Sequence, residues 1–495
     1  MRNQVQLITY ADRLGGTIAG TGQVLDEVFG TAVGGVHVLP FFTPFDGADA
    51  GFDPVDHTAV DPRLGTWADV RRLAQDRDVV VDVIVNHVSA GSADFTDVLA
   101  HGRESASASM FLTLGDVFPD GATEADLTAV YRPRPGLPLT PMTLGGERRL
   151  VWTTFTPQQV DIDVRGQVGR AYLTRVLTTL ADAGVTMIRL DAVGYAVKTP
   201  GTTSFMTPET FAFIDDLTAE ARALGLDVLV EVHSYFERQI EIGRGVDRVY
   251  DFALPPLLLH ALSSGDGTPL ARWMRERPGN AVTVLDTHDG IGVIDVGPDQ
   301  TDTGRPGLLT PEQIDALVDG IHERSDGASR LATGQAASNL DLYQVNCTYY
   351  DALGRDDRRY LAARAIQFFT PGIPQVYYVG ALAGHNDLDL LARTGVGRDI
   401  NRHHYTRADI DAQLRRPVVG ALLALMRLRS TLEVFDGEFT FTVRDDQHVL
   451  HLGWRDGPRS AALDVDLRTA DCTLAWDDGV QGGLTNDLLG DPPGM

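Results

Sequence analysis

Short apolar runs recur along the chain, and most are followed by a segment whose apolar positions repeat at helical spacing. Residues 5–10 (VQLITY), 35–40 (GVHVLP), 79–87 (VVVDVIVNH) and 186–193 (TMIRLDAV) read as strands, as do 227–233 (DVLVEVH), 246–252 (VDRVYDF), 281–289 (AVTVLDTHD) and 372–380 (GIPQVYYVG). Their near-continuous apolar character predicts strands buried on both faces, the mark of a parallel sheet covered by helices. Between strands the period changes. Val168, Tyr172, Val176 and Leu180 predict a helix before the fourth strand. Thr207 and Pro208 read as an N-cap and first-turn pair, with Phe211, Ile214, Leu217, Ala221 and Leu224 as the apolar stripe and Gly225 as the stop.

Eight strands in this alternation predict an α/β fold, a (β/α)8 TIM barrel. Two intervals are too long for simple loops. They predict inserted subdomains at 85–165, after the third strand, and at 291–354, after the seventh, leaving 1–84, 166–290 and 355–434 for the barrel. Past the last barrel helix the texture changes to period two, in EFTFTV, HVLHLGW and AALDVDL, separated by DG turns. That alternation predicts a small C-terminal antiparallel β-domain over 435–495.

The chain has 495 residues, 43% of them hydrophobic and 22% charged, a globular composition. A formal net charge of −26 argues against nucleic acid and anionic membranes as partners. It also means that an anionic substrate needs a local cationic pocket. Cys347 and Cys472 lie far apart without ligand spacing and read as inert reduced thiols. The first ten residues hold no apolar run of the signal-peptide kind, and no segment reaches the ~18 apolar residues of a membrane span, so a soluble, cytoplasmic protein is expected.

Charges collect at the C-terminal ends of the predicted strands, where barrels of this kind carry their active sites. Asp82, Asn86 and His87 lie on the third, Arg189 and Asp191 on the fourth, Glu231 and His233 on the fifth, and His288 and Asp289 on the seventh. Arg189 and Asp191 share one strand face, so a buried strand carries a cation beside an anion. Three carboxylates without cysteine ligands fit glycosyl transfer or a metal site. A retaining glycosidase needs an ionised nucleophile beside a protonated acid. Arg189 would keep Asp191 charged, and burial would raise Glu231. A metal site needs convergent ligand spacing, which the sequence does not display.

The segments DVIVNH (82–87), IRLDAV (188–193), VEVH (230–233) and LDTHD (285–289), in this order, resemble the signature segments of the α-amylase family of α-glucoside enzymes. FFTPFDGADAGFDPVDH, YRPRPGLP, FTPQQVDID, NLDLYQVN and GRDINRH narrow the resemblance to that family's sucrose phosphorylases, over essentially the whole chain. The resemblance implies Asp191 as nucleophile, Glu231 as general acid/base and Asp289 as transition-state stabiliser. It implies His87 and His288 as ligands of glucosyl hydroxyls, and Asp49 with Arg398 as the closed end of a one-sugar pocket. Phe52 and Phe155 match its aromatic wall, and Gln159, Arg189 and Tyr195 its further substrate contacts. His233, Leu342 and Gln344 fall on the acceptor side. Arg134 and Tyr343 match phosphate ligands; a guanidinium grips phosphate bidentately, and Arg134 has proline on both sides. Two positions depart from the wider family: Thr287 stands where most members have Asn, and Tyr195 falls in a region usually holding Lys or His. The calcium-ligand arrangement of many amylases is not evident, and the expectation is no metal and no cofactor.

The implied activity is reversible, retaining phosphorolysis of sucrose through a β-glucosyl-enzyme on Asp191. Its small-molecule partners are sucrose, inorganic phosphate, fructose and glucose 1-phosphate. Relatives acting on sucrose 6'-phosphate, glucosylglycerol or glucosylglycerate, an α-glucosidase or transglucosidase, and a non-catalytic binding barrel remain as alternatives. Some members are dimers, so a homodimer is among the expected states.

Overall fold

The computed structural model describes residues 1–132, 136–299, 304–333, 344–444 and 447–494. Eight parallel strands close into a barrel: β1 (Gln6–Thr9), β2 (Gly35–Val38), β3 (Asp78–Ile84), β4 (Met187–Asp191), β5 (Asp227–Val230), β6 (Arg248–Asp251), β7 (Ala281–Thr283) and β8 (Ile373–Tyr377). They neighbour one another in chain order, and β8 closes on β1. Each lies in one of the eight apolar runs. Nearly all their side chains are buried, because helices cover the outside and the strands' own residues fill the inside.

The strands end earlier than the apolar runs suggest. In the third run the barrel strand stops at Ile84, and His87–Ser89 forms a separate strand antiparallel to Gln159–Asp161, His87 opposite Asp161. In the seventh, pairing with β8 stops at Thr283 opposite Pro374, which has no N–H to carry the ladder on. Polar residues beyond both points are therefore released from the barrel wall and turn over its C-terminal rim.

The helix Gln167–Asp182 buries Tyr172, Val176 and Leu180. The helix Pro208–Ala223 is capped by Thr207, whose side chain accepts from the Thr210 N–H, and the chain leaves it through Gly225 at φ +80°. After β3 come the helix Ala93–His101 and a hairpin of Leu139–Leu144 with Glu147–Trp152. After β7, Ile291–Gly292 pairs with Gln344–Val345, and the helix Pro311–Arg324 lies between them in the chain.

The C-terminal sheet runs β9 (Glu438–Arg444), β10 (Val449–Asp456), β11 (Arg459–Asp466), β12 (Cys472–Asp477) and β13 (Gly482–Thr485), in that order. Two strands, β12 and β13, extend the three-strand reading. Burial alternates along β11 and β12, with the inner face towards the barrel. Trp454 of β10 donates its indole N–H to the Phe369 carbonyl at 2.8 Å, tying the sheet to the helix Asp357–Phe369. Cys347 and Cys472 are buried and unbridged, and burial pushes both thiols up to about 12, as inert groups require. Among the described residues no helix is long and apolar enough to cross a membrane.

Candidate active site

The register of β3 and β4 sets Arg189 directly beside Asp82, and both side chains are buried. Arg189 Nη1 donates to Asp82 Oδ1 at 2.6 Å and to Asp191 Oδ1 at 2.8 Å, while Nη2 lies 3.9 Å from Glu231 Oε1. Asp82 also bonds His37 Nε2, from β2, at 2.9 Å. A cation on the buried strand is thus matched by carboxylates on three neighbouring strand ends. Asp82, which holds the guanidinium from behind, was a candidate charge in the sequence but not a predicted site residue.

Asp191 ends β4, and Ala192 follows at φ +55°, turning the chain sharply into a short 3-10 helix, Val193–Tyr195. That turn sets Tyr195 against Phe155, ring centroids 5.2 Å apart, and against Phe205 at 4.7 Å. Glu231 immediately follows β5, and Asp289 lies in the rim segment after β7.

Burial pushes the Asp191 carboxyl up to about 8; Arg189 pulls it down, and Glu231, Asp82 and Asp289 add to the rise. The sequence reading expected Arg189 to keep Asp191 charged; burial outweighs Arg189 there, whose Nη1 is shared with Asp82. Asp82 itself, whose burial is outweighed by His37 and Arg189, is held at about 2. Two carboxyls around a shared guanidinium do not readily ionise together.

The opposite end of the pocket is closed by ion pairs. Arg398 Nη1 lies 2.9 Å from Asp49 Oδ2 and 3.0 Å from Asp289 Oδ1. Arg402, absent from the predicted set, adds a 3.5 Å contact to Asp49 and donates from Nε to the His288 carbonyl at 2.9 Å. Burial would raise both carboxyls, but Arg398 and Arg402 bring Asp49 to about 2, and with His288 they hold Asp289 well below the carboxylate range. Asp49 is itself in the left-handed region, φ +51°. The signal for Arg402 was there in GRDINRH, whose second arginine lies four positions after the first.

Phe52 stacks on His288, rings 4.8 Å apart and 8° from parallel. His87 Nε2 lies 2.9 Å from the Phe52 carbonyl and 3.1 Å from Gln159 Nε2, and its ring packs edge-on to Phe155 at 5.3 Å. Burial lowers both histidines, His288 to about 3, so each presents a neutral imidazole able to donate and accept. Behind this wall is Lys198, also missed in the sequence. Its buried ammonium bonds Asp161 Oδ2 at 2.6 Å, Asn86 Oδ1 at 2.8 Å and the Tyr195 carbonyl.

On the other side of Glu231, His233 Nε2 lies 3.8 Å from Glu231 Oε1, and Nδ1 lies 2.8 Å from the buried Asp295 Oδ2. Gln344 lines the same cavity. Arg134, Leu342 and Tyr343 fall outside the described residues.

One trio of described residues, Glu231, His233 and Asp289, brings its donor atoms within 4.8 Å of one another, close enough for a metal ion. The chemistry does not fit one. Burial would lower His233, but Asp295 raises it to about 9, leaving no lone pair at neutral pH, and Asp289 is already paired with Arg398.

Residues 7–234 match the family described as alpha amylase, catalytic domain, and residues 434–493 that described as sucrose phosphorylase, C-terminal. The chain is 56% identical to the sucrose phosphorylase of Bifidobacterium adolescentis, covering 100% of this chain and 99% of that one. It is 58% identical to the sucrose phosphorylase of Agrobacterium vitis, over 96% and 97% of the two chains. Among solved structures, the sucrose 6F-phosphate phosphorylase from Thermoanaerobacter thermosaccharolyticum superposes with a TM-score of 0.90 at 37% identity, over 98% of each chain. With fold and full-length identity in agreement, the chain belongs to the sucrose phosphorylase group of the α-amylase family.

Proposed function

We propose that this protein is a sucrose phosphorylase that interconverts sucrose plus phosphate with α-glucose 1-phosphate plus fructose, with retention at the anomeric carbon. The observation that carries the reading is the grouping of Asp191 and Glu231 around Arg189, at the open side of a pocket sealed by Asp49, Arg398 and Arg402. A sealed end admits one sugar ring, so a disaccharide or a chain end is the donor.

Asp191, as carboxylate, attacks the anomeric carbon while Glu231 protonates the departing fructosyl oxygen, giving a β-glucosyl ester and free fructose. Asp191 and Glu231 need one proton between them at the start, which matches a pair in which one carboxyl is pushed up to about 8. With a glucoside bound, that proton must sit on Glu231, where the glycosidic oxygen accepts it. Asp289 stays ionised and faces the positive charge that develops on the ring. His87 and His288, both neutral, hold sugar hydroxyls, and Phe52 with Phe155 forms the wall. In the second step Glu231 takes a proton from phosphate as the phosphate oxygen attacks the same carbon, the ester bond breaks, and Asp191 leaves as carboxylate, which restores the starting pair. Arg134, Tyr343, Leu342 and Gln344 serve phosphate and fructose in this reading. A cytoplasmic, homodimeric protein that works without metal or cofactor belongs to it too.

The second reading is a sucrose 6'-phosphate phosphorylase, favoured by the superposition on a solved enzyme of that name; the higher identity to two sucrose phosphorylases weighs against it. Incubation with sucrose and phosphate tests the choice. Glucose 1-phosphate forming faster from sucrose than from sucrose 6'-phosphate supports the proposal, and the reverse order overturns it.

A further inference from the structure

We propose that Asp295 is a positioning residue for the acceptor half of the reaction: it fixes His233 so that Nε2–H faces an incoming anion beside Glu231. The inference rests on the phosphorylase reading above. Asp295 lies in the short helix Ile294–Val296 and is fully buried. Its Oδ2 binds His233 Nδ1 at 2.8 Å, and its Oδ1 accepts from the Ser234 N–H at 3.1 Å and from Gln239 Nε2 at 3.0 Å. The imidazole is clamped from below by Phe252, rings 3.9 Å apart and nearly parallel. Gly292 makes the approach feasible, since a Cβ there would meet Asp295 Oδ2 at 2.5 Å and His233 Nδ1 at 3.1 Å.

With Nδ1 committed, His233 has one nitrogen left to work with. Nε2 is buried, has no partner among the described residues, and lies 3.8 Å from Glu231 Oε1. That is where the second substrate must enter. After fructose has left, Glu231 is a carboxylate and repels a phosphate anion, while Asp191 is masked as an ester. A cationic His233 offsets the Glu231 charge and offers the anion a donor. Water gains little from the same cation, so the dyad selects phosphate over hydrolysis. The charged groups facing His233 are Glu231 from its own strand end, Asp289 from the segment after β7 and Asp295 from the short helix; Arg238 lines the adjoining cleft.

The sign of the pH dependence follows. Asp295 holds His233 up to about 9, so it stays charged through neutral pH. An Asp295→Asn variant keeps an acceptor for Nδ1–H but not the charge, and His233, which burial still lowers, then titrates well below its wild-type value. The experiment measures glucose 1-phosphate against free glucose, from sucrose at fixed phosphate, across about pH 5.5 to about pH 8. Expected is a wild-type-like ratio for Asp295→Asn at the acid end, falling about tenfold below wild type at the alkaline end. An unchanged ratio, or one reduced equally at every pH, overturns the role given to Asp295. Wild type that makes no glucose 1-phosphate at any pH overturns the phosphorylase reading itself. A second measurement needs no Asp295 variant: the His233 ring proton in the NMR spectrum, assigned by its loss in His233→Gln, is expected to titrate above about pH 8. Titration below neutrality overturns the inference.

Discussion

One guanidinium nitrogen, Arg189 Nη1, serves two carboxylates at once: Asp82 at 2.6 Å and Asp191 at 2.8 Å. Burial raises Asp191 by more than its share of that cation lowers it, so Asp191 is both the more basic and the more available of the two.

Asp82→Asn should therefore alter the chemistry of Asp191 without touching substrate. Removing the Asp82 charge removes a competitor for Arg189 and a repulsion on Asp191, so Asp191 falls from its value of about 8. Turnover needs the one proton that Asp191 and Glu231 hold between them, so its loss sets the alkaline limb of kcat/KM against pH, and that limb should move down by about one unit. Mere loosening of the barrel would lower the whole profile without shifting that limb.

Asp191→Asn or Asp191→Ala should abolish turnover, because the ester can form nowhere else. Glu231→Gln should stop reaction with sucrose yet still be glucosylated by a donor whose leaving group needs no proton, and azide should then give β-glucosyl azide. Near-normal phosphorolysis by Asp191→Asn would rule the mechanism out. The same substitution should change stability with a definite sign. A carboxyl raised to about 8 when folded, against ~3.9 unfolded, binds more protons in the native state between those values, so its contribution is lost as pH rises through that window. Asp191→Asn should be more stable than wild type near pH 8 by ~1–3 kcal/mol, the difference vanishing towards about pH 4, as read by urea unfolding.

The barrel was legible because its eight strands are buried on both faces, and continuous apolar runs leave few other options. The strand ends were not, since the NH of DVIVNH and the DTHD of VLDTHD continue an apolar run into polar residues with nothing local to mark where pairing stops. Residues on the strands or beside them in signature segments, such as Asp191, Glu231 and His288, were legible. Those that complete the site from elsewhere were not: Asp295 sits in VIDV and Lys198 in YAVK, each an unremarkable charge until the fold brings it to His233 or to Asp161. One sequence position shows that Arg189 neighbours Asp191, but not that Asp82 shares it.

Exhaustive chelation should leave activity unchanged. The trio Glu231, His233 and Asp289 has the spacing for a cation, but its histidine is protonated and one carboxylate is spent on Arg398. A large loss on chelation, restored by a divalent ion, would count against this account of the site.

Arg134→Ala should chiefly harm the phosphate half-reaction. Losing a charge-assisted bidentate contact costs about 1.5–3 kcal/mol, roughly ten- to a hundredfold in that step. Glucosylation should suffer less, so the ester partitions more to water, and the glucose 1-phosphate to glucose ratio drops at every pH. That uniform drop separates Arg134 from the pH-dependent drop expected of Asp295→Asn. An unchanged ratio would rule out a phosphate-binding role for Arg134.

Lys198 carries the last prediction. Its ammonium joins three segments that each supply a wall of the glucose pocket: Asn86 precedes His87, Asp161 follows Gln159 by two residues, and the third partner is the carbonyl of Tyr195 itself. Burial lowers its pKa, yet Asp161 at 2.6 Å and the two neutral oxygens satisfy the charge. Lys198→Met keeps the length of the side chain and removes the cation, which leaves Asp161 buried with only its Thr154 contacts among the described residues. Breaking one side of a buried pair costs about 3–5 kcal/mol, and the melting temperature should fall accordingly. In the fraction that stays folded, KM for sucrose should rise more than kcat falls, since the carboxylates on β4 and β5 keep Arg189 while the His87 and Tyr195 walls loosen. An unchanged melting temperature would mean the cage is dispensable, and an equal loss in kcat would mean Lys198 acts on the reacting groups rather than on the walls around them.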